Sequence, residues 1–228
     1  MKLPQLVNQL LHKKSDKKEV FLSLILDVAA IHGAVWDFEE KKNPKVEFSA
    51  REPVKIDTWE ERIQACDQVL MKLEEQLPGE VKLTNVVLGL PSVYLTKEGD
   101  IDTHIRSEIK KLTKELELNP IGFVSLPQAL VHKFKVDEGV PPSLILLGLS
   151  ATAMSLDLYK VGALMGQKSI EFSQKDIVGD LEDALKSFTE LEVLPSRILL
   201  YGDNQEQLDS IRQKLLKHPW PTRVNFLH

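Results

Sequence analysis

The chain has 228 residues, 43% of them hydrophobic, with 29 basic against 34 acidic side chains and a net charge of −5. That length builds a real core as one large domain or two small ones, so folding needs neither a disulfide nor a structural metal. One cysteine, no secretory leader pattern, apolar runs far short of the roughly 20 residues that cross a bilayer, and no strands interleaving aromatic with basic residues argue against secretion, a membrane span and nucleic-acid binding, and predict a cytoplasmic protein.

Residues 1–20 stand apart. Leu3, Leu6, Val7, Leu10 and Leu11 recur at helical spacing ahead of Lys13, Lys14, Lys17 and Lys18, which predicts a short amphipathic helix and a linker. Its stripe can pack on the body of the protein, on a partner or on a membrane surface. The lysines cluster at one end instead of lining a polar face, which disfavours the membrane. Leu3, Leu6, Val7 and Leu10 are the candidate partner-binding residues.

Val20 to Leu26 is apolar on both faces, as a central strand should be, and ends at Asp27. Gly33 to Phe38 and Val46 to Ser49 continue it as a meander around the turn residues Lys42-Asn43-Pro44. A helix then follows, with Trp59, Ile63, Cys66, Leu70, Leu73 and Leu77 on one stripe, Thr58 and Glu61 as a capping box, and Pro78-Gly79 as its stop. Cys66, on that stripe, reads as an inert small hydrophobe. Next come a strand at Asn85 to Leu90, a helix from about Asp102 to Leu116 with Ile105, Ile109, Leu112 and Leu116 inward, a short strand at Gly122 to Val124 and a helix from about Leu126.

The order then repeats. Leu144 to Leu149, Met154 to Tyr159 and Ser169 to Phe172 are predicted strands. A helix from about Asp176 to Phe188 with Ile177, Leu181, Leu185 and Phe188 inward, a strand at Arg197 to Tyr201, a helix from Asn204 to Leu216 and a strand near Arg223 to Phe226 follow. The fold class is therefore α/β, with two β-β-β-α-β-α-β halves at 21–139 and 140–228 behind the N-terminal segment 1–20.

Four passages, Leu26-Asp27-Val28-Ala29, Leu88-Gly89-Leu90-Pro91-Ser92, Ser125-Leu126-Pro127-Gln128-Ala129 and Leu199-Leu200-Tyr201-Gly202-Asp203, set in that duplicated order, resemble the actin-like ATPases, a ribonuclease-H-like duplicated fold whose halves face a cleft. Within it the chain is similar to the bacterial branch containing the cell-division protein FtsA and the type IV pilus assembly protein PilM. The resemblance implies nucleotide loops, and here they are degenerate. The first phosphate loop of the family is Asp-x-Gly, where glycine lets backbone N–H groups approach phosphate. This chain keeps Asp27 but has Ala29 in place of the glycine. The second Asp-x-Gly falls at Gly148-Leu149-Ser150, with both residues replaced. The adenosine loop, Gly-Gly before a helix, is Gly202-Asp203, and Asp203 reads as a helix N-cap.

Asp27, Ala29, Gly148, Ser150, Gly202 and Asp203 are thus vestigial nucleotide positions, and neither a cofactor nor a metal is expected. The resemblance implies a non-catalytic scaffold or adaptor that binds protein partners, such as the cytoplasmic segment of a membrane-anchored protein, at the inner face of the membrane in division or pilus assembly. A weak ATPase or a nucleotide-dependent filament subunit is the alternative.

Other chemistry is weaker. Gly162 to Ser169 nearly spells a P-loop, but Gln167 replaces its second glycine and a strand follows. Gly148-Leu149-Ser150-Ala151-Thr152 resembles a nucleophile elbow without its last glycine, again with a strand where a helix is needed. The six histidines show no metal-ligand spacing. Asp27, Asp157 and Asp203 could gather around a cation, although Asp157, in an alternating strand, is expected to be solvated.

Overall fold

The computed structural model describes residues 19–27, 29–38, 44–56, 58–77, 83–96, 98–150, 153–171, 176–188, 193–220 and 225–226. The expected N-terminal helix and the Pro78-Gly79 stop lie outside them. The chain forms two compact units, Met1–Leu126 and Pro127–His228.

In the first unit, strands β1 (Glu19–Leu26), β2 (Ala30–Phe38), β3 (Lys45–Pro53), β4 (Asn85–Leu90) and β5 (Asn119–Ser125) form one sheet in the order β3-β2-β1-β4-β5. The first three make an antiparallel meander; β4 joins β1 in parallel, and β5 joins β4 likewise. Side chains alternate across a strand. Leu22, Leu24 and Leu26 of β1, Ile31 and Val35 of β2, and Val86, Leu88 and Leu90 of β4 therefore share one face.

Helices α1 (Trp59–Glu74) and α2 (Thr103–Glu115) cover that face. Helix α1 begins at Thr58, whose Oγ1 accepts from the Glu61 amide at 3.2 Å. Its apolar stripe buries Cys66, Leu70 and Leu73, with Trp59, Ile63 and Leu77 at the rim, as the periodicity predicts. Arg62 is buried as well, its guanidinium 5.3 Å from the Trp59 ring centroid. Helix α2 is capped by the Asp102 carboxylate, and Ile105, Ile109, Leu112 and Leu116 all face the core.

The second unit repeats the arrangement. Strands β6 (Leu144–Leu149), β7 (Ala153–Lys160), β8 (Ala163–Glu171), β9 (Arg197–Gly202) and β10 (Asn225–Phe226) run in the order β10-β9-β6-β7-β8, the topological equivalent of the first sheet. All six residues of β6 are buried, as expected of a strand covered on both faces. On one face α4 (Ile177–Lys186) and α5 (Gln205–Lys217) pack through Leu181, Leu185, Ile211 and Leu215 onto Ile145, Leu147, Leu156 and Leu158.

The other face is covered by α3 (Leu126–Glu138), which follows β5 without an intervening residue. Its Leu130, Val131 and Phe134 pack on Leu144, Leu146 and Tyr159. Arg197 of β9 donates two hydrogen bonds to the Glu138 carboxylate, at 2.6 and 2.9 Å, and lies over the Phe134 ring. That donation holds the Glu138 carboxyl below the usual carboxylate range. The sequence reading grouped this helix with the first half; its apolar face belongs to the second sheet.

Two sequence expectations change here. The third strand of the second half is Ala163–Glu171, far longer than Ser169 to Phe172. It absorbs the whole near-P-loop stretch, so Gly162 to Ser169 has no loop-then-helix geometry. Asp157, expected in solvent, is 1% exposed: it lies on the α3 face beside Leu146, with which it is paired across β6 and β7.

Candidate functional site

The six positions expected to belong to nucleotide loops sit at the C-terminal ends of three strands. In the first unit, Asp27 and Ala29 fill the short reversal between Leu26 and Ala30, residues flanking an antiparallel register that pairs Leu26 with Ile31. Asp27 is half-buried and makes an electrostatic or hydrogen-bonding contact. The Ala29 carbonyl accepts from the Val54 amide at 2.9 Å, which fastens the turn to the exit of β3. Ala30, next in the chain, has no exposed surface. This is a turn built into the sheet's own hydrogen bonding.

The other four positions come together in the second unit, where β6 and β9 are parallel neighbours and Gly148 pairs with Tyr201, Leu149 with Gly202. Gly148 has no side-chain space. A Cβ there would lie 2.5 Å from both Ser155 Oγ and the Tyr201 hydroxyl and 2.6 Å from Tyr201 Cζ. Those two groups are themselves in contact, Ser155 Oγ 3.4 Å from the Tyr201 hydroxyl. Any side chain at this position would collide with both. The hairpin registers pair Leu149 with Met154 as Leu26 with Ile31, so the residue in the place of Asp27 is Ser150 and not Gly148.

Gly202 is forced by a different neighbour, since a Cβ would stand 2.7 Å from the Leu149 carbonyl oxygen. Glycine here serves the close approach of two strands. Ser150 gives its carbonyl to the Gln207 side-chain amide at 3.0 Å. The cap of α5 is Asn204, whose Oδ1 accepts from the Gln207 amide at 3.0 Å; Asp203, read as the cap from sequence, lies one residue too early. Gln207 therefore ties the end of β6 to the first turn of α5.

Below this end, the α3 face carries Ser155, Asp157, Tyr159 and Tyr201 in a row across β7 and β9. Burial, with the Asp157 charge next, pushes the Tyr159 phenol well above its ordinary value, so it stays protonated. Sequence reading missed this cluster because alternation alone does not say whether a polar position faces water or a covering helix.

Among the described residues, no group of three or more His, Cys, Asp or Glu could hold a metal. Cys66 has no exposed surface, and burial pushes its thiol up to about 12. His218 meets Glu182 at 3.1 Å and the edge of Trp220, and Glu182, held below the usual carboxylate range first by Lys186 and then by His218, completes a surface network. Ser150 is followed by β7, not by the helix of a nucleophile elbow. No described helix is long and apolar enough to cross a membrane.

No family model matches the sequence, and no curated protein does. Solved structures do match. The PilM protein in a PilM–PilN type IV pilus biogenesis complex superposes with a TM-score of 0.63 at 12% identity, covering 92% of this chain and 88% of that one. The ethanolamine utilization protein EutJ from Carboxydothermus hydrogenoformans gives 0.53 at 10% identity over 81% of this chain and 77% of its own. A Bacteroides thetaiotaomicron protein described as having an actin-like ATPase fold and unknown function gives 0.51 at 12% identity, over 90% and 92%. The chain has the actin-like ATPase fold. At these identities the likeness concerns the fold alone, and its duplicated sheets are those that the repeated element order predicts.

Proposed function

We propose that this actin-like protein is a non-catalytic scaffold that binds protein partners and carries vestigial nucleotide loops. The observation that supports the reading is the end of β6: Ser150 follows Leu149 as Asp27 follows Leu26 in the matching hairpin, so the second loop has no carboxylate there. Ala29 in place of a glycine, the Ser150 carbonyl held by Gln207 and the carboxylate of Asp203 beside Gly202 agree with it. Ala29 puts a methyl group where a phosphate would approach, and Asp203 puts a carboxylate at the expected adenosine loop.

The likeness to the PilM–PilN complex supports a partner class for this reading: a protein segment such as the cytoplasmic part of a membrane-anchored chain, with this protein cytoplasmic and peripheral at the inner membrane through it. Titration calorimetry with Mg-ATP tests the non-catalytic part. No heat of binding is expected at millimolar ligand. A Kd tighter than about 1 mM, worth roughly 4 kcal/mol, would overturn it and favour a weak ATPase.

A further inference from the structure

The second sheet carries helices on both faces, and the two contacts are built from different chemistry. On one face α4 and α5 close an apolar interior, in which Leu181, Leu185 and Leu215 meet Leu147, Leu156 and Leu158. On the other face Leu144 and Leu146 share the floor under α3 with Ser155, Asp157, Tyr159 and Tyr201. The roof is thin there. Of the thirteen residues of α3 only Pro127 and Val131 are buried, with Leu130 and Phe134 half-buried against the floor. Helix α4 buries four of its ten, Val178, Leu181, Ala184 and Leu185.

Lifting a helix from an apolar floor costs the whole of the surface it uncovers. Lifting α3 costs less for the same area, because a carboxylate, two phenols and a hydroxyl regain water as the leucines lose their cover. Closure on this face therefore leans on a polar contact at the last residue of the helix. Arg197 of β9 grips the Glu138 carboxylate with two hydrogen bonds, at 2.6 and 2.9 Å, and its guanidinium carbon stands 5.6 Å from the Phe134 ring centroid. The fork geometry makes this a strong pair. It is also a reachable one, since the Arg197 and Glu138 side chains are 24% and 31% exposed.

We infer that α3 is a releasable cover latched by the Glu138–Arg197 pair, so that the second sheet opens on this face while its α4–α5 face stays closed. Local opening of this kind costs less than unfolding the unit, and the strand pairing of β6 with β7 and β9 survives it. The closed helix withholds a strip of mixed character, Leu144 and Leu146 beside Asp157 and Tyr159, which the open state presents to solvent. The inference concerns how this unit opens and stands apart from the scaffold reading.

Thiol labelling of the full chain, with mass spectrometry locating the label, tests this. Val131→Cys places a reporter under α3 and Ala184→Cys places its counterpart under α4, at positions whose native side chains are 7% and 4% exposed. Under native conditions Val131→Cys should react with a maleimide at least about tenfold faster than Ala184→Cys. Adding Glu138→Gln should raise the Val131→Cys rate by a further factor of about three or more, with Ala184→Cys and Cys66 unchanged. Equal rates at the two positions would overturn the inference, as would a Glu138→Gln change that speeds both alike or neither. If Val131→Cys does not fold, hydrogen exchange of the chain without it takes over the readout. The amides of α3 should then exchange at least about tenfold faster than those of α4, and faster still with Glu138→Gln. Equal protection of the two helices would refute the cover.

Discussion

Gly148→Ala is the sharpest probe of the packing at the end of β6. The added methyl carbon would lie 2.5 Å from Ser155 Oγ, 2.5 Å from the Tyr201 hydroxyl and 2.6 Å from Tyr201 Cζ, against an ordinary contact of 3.4–4 Å. About 1 Å must be found somewhere. Strand β6 cannot retreat, because it is hydrogen-bonded on one side to β7 and on the other to β9. The relief has to come from rotating Tyr201 out of its place against Leu144 and Leu146, under α3. Overpacking of this kind costs about 1–3 kcal/mol. For a unit of this size each kcal/mol lowers Tm by about 4–8 °C. Urea denaturation followed by circular dichroism reads the loss directly, and a double-mutant cycle with Tyr201→Ala separates the steric term. Removing the ring should recover at least about 1 kcal/mol of the Gly148→Ala penalty beyond additivity. A Gly148→Ala protein within about 0.5 kcal/mol of wild type would mean that the space is free and that Tyr201 does not hold glycine at this position.

Three further outcomes follow from other residues. Val161 sits exposed in the β7–β8 turn with φ at +51°, a conformation costly for a β-branched side chain, so Val161→Asn should raise stability by about 1 kcal/mol in the same denaturation assay. Cys66 should not react with Ellman's reagent at pH 8 until the protein is unfolded. Because its thiol is pushed up to about 12 in the folded state, the unfolded chain loses that proton first, and stability should decline as pH rises above about 8.5. Leu70→Asp should abolish the folded far-UV spectrum of the first unit, since an unpaired carboxylate would enter the cluster around Leu24 and Leu73, whereas Leu73→Ala should cost about 2–5 kcal/mol and leave a fold.

What the sequence revealed depended on how local the cause was. Strands apolar on both faces, such as β4 and β6, show as continuous apolar runs between turn residues, and their ends fall where composition puts them. The α1 and α2 stripes and the Thr58 cap are equally local. Strand β8 was cut short because Ala163 to Lys168 does not alternate. Its Gly166 is there for a ring from far along the chain, since a Cβ would lie 2.4 Å from Phe188 Cε1. Asp157 was misplaced for a related reason: its burial is set by α3, whose choice of sheet no periodicity records. At the candidate site, the missing aspartate and glycines could be read in the sequence. The ring that closes on Gly148, Tyr201, belongs to a neighbouring strand and could not.

The absence of any residue between Ser125 of β5 and Leu126 of α3 bears on how the protein can be dissected. A fragment beginning at 140, where the sequence repeat restarts, would lose Leu130, Val131, Phe134 and the Glu138 clamp on Arg197, and would expose the leucine ladder of β6 to solvent. One beginning at 127 would retain its own roof. The repeated order of elements and the compact unit are offset by a helix, so a genetic cassette for the second unit would have to start upstream of the repeat.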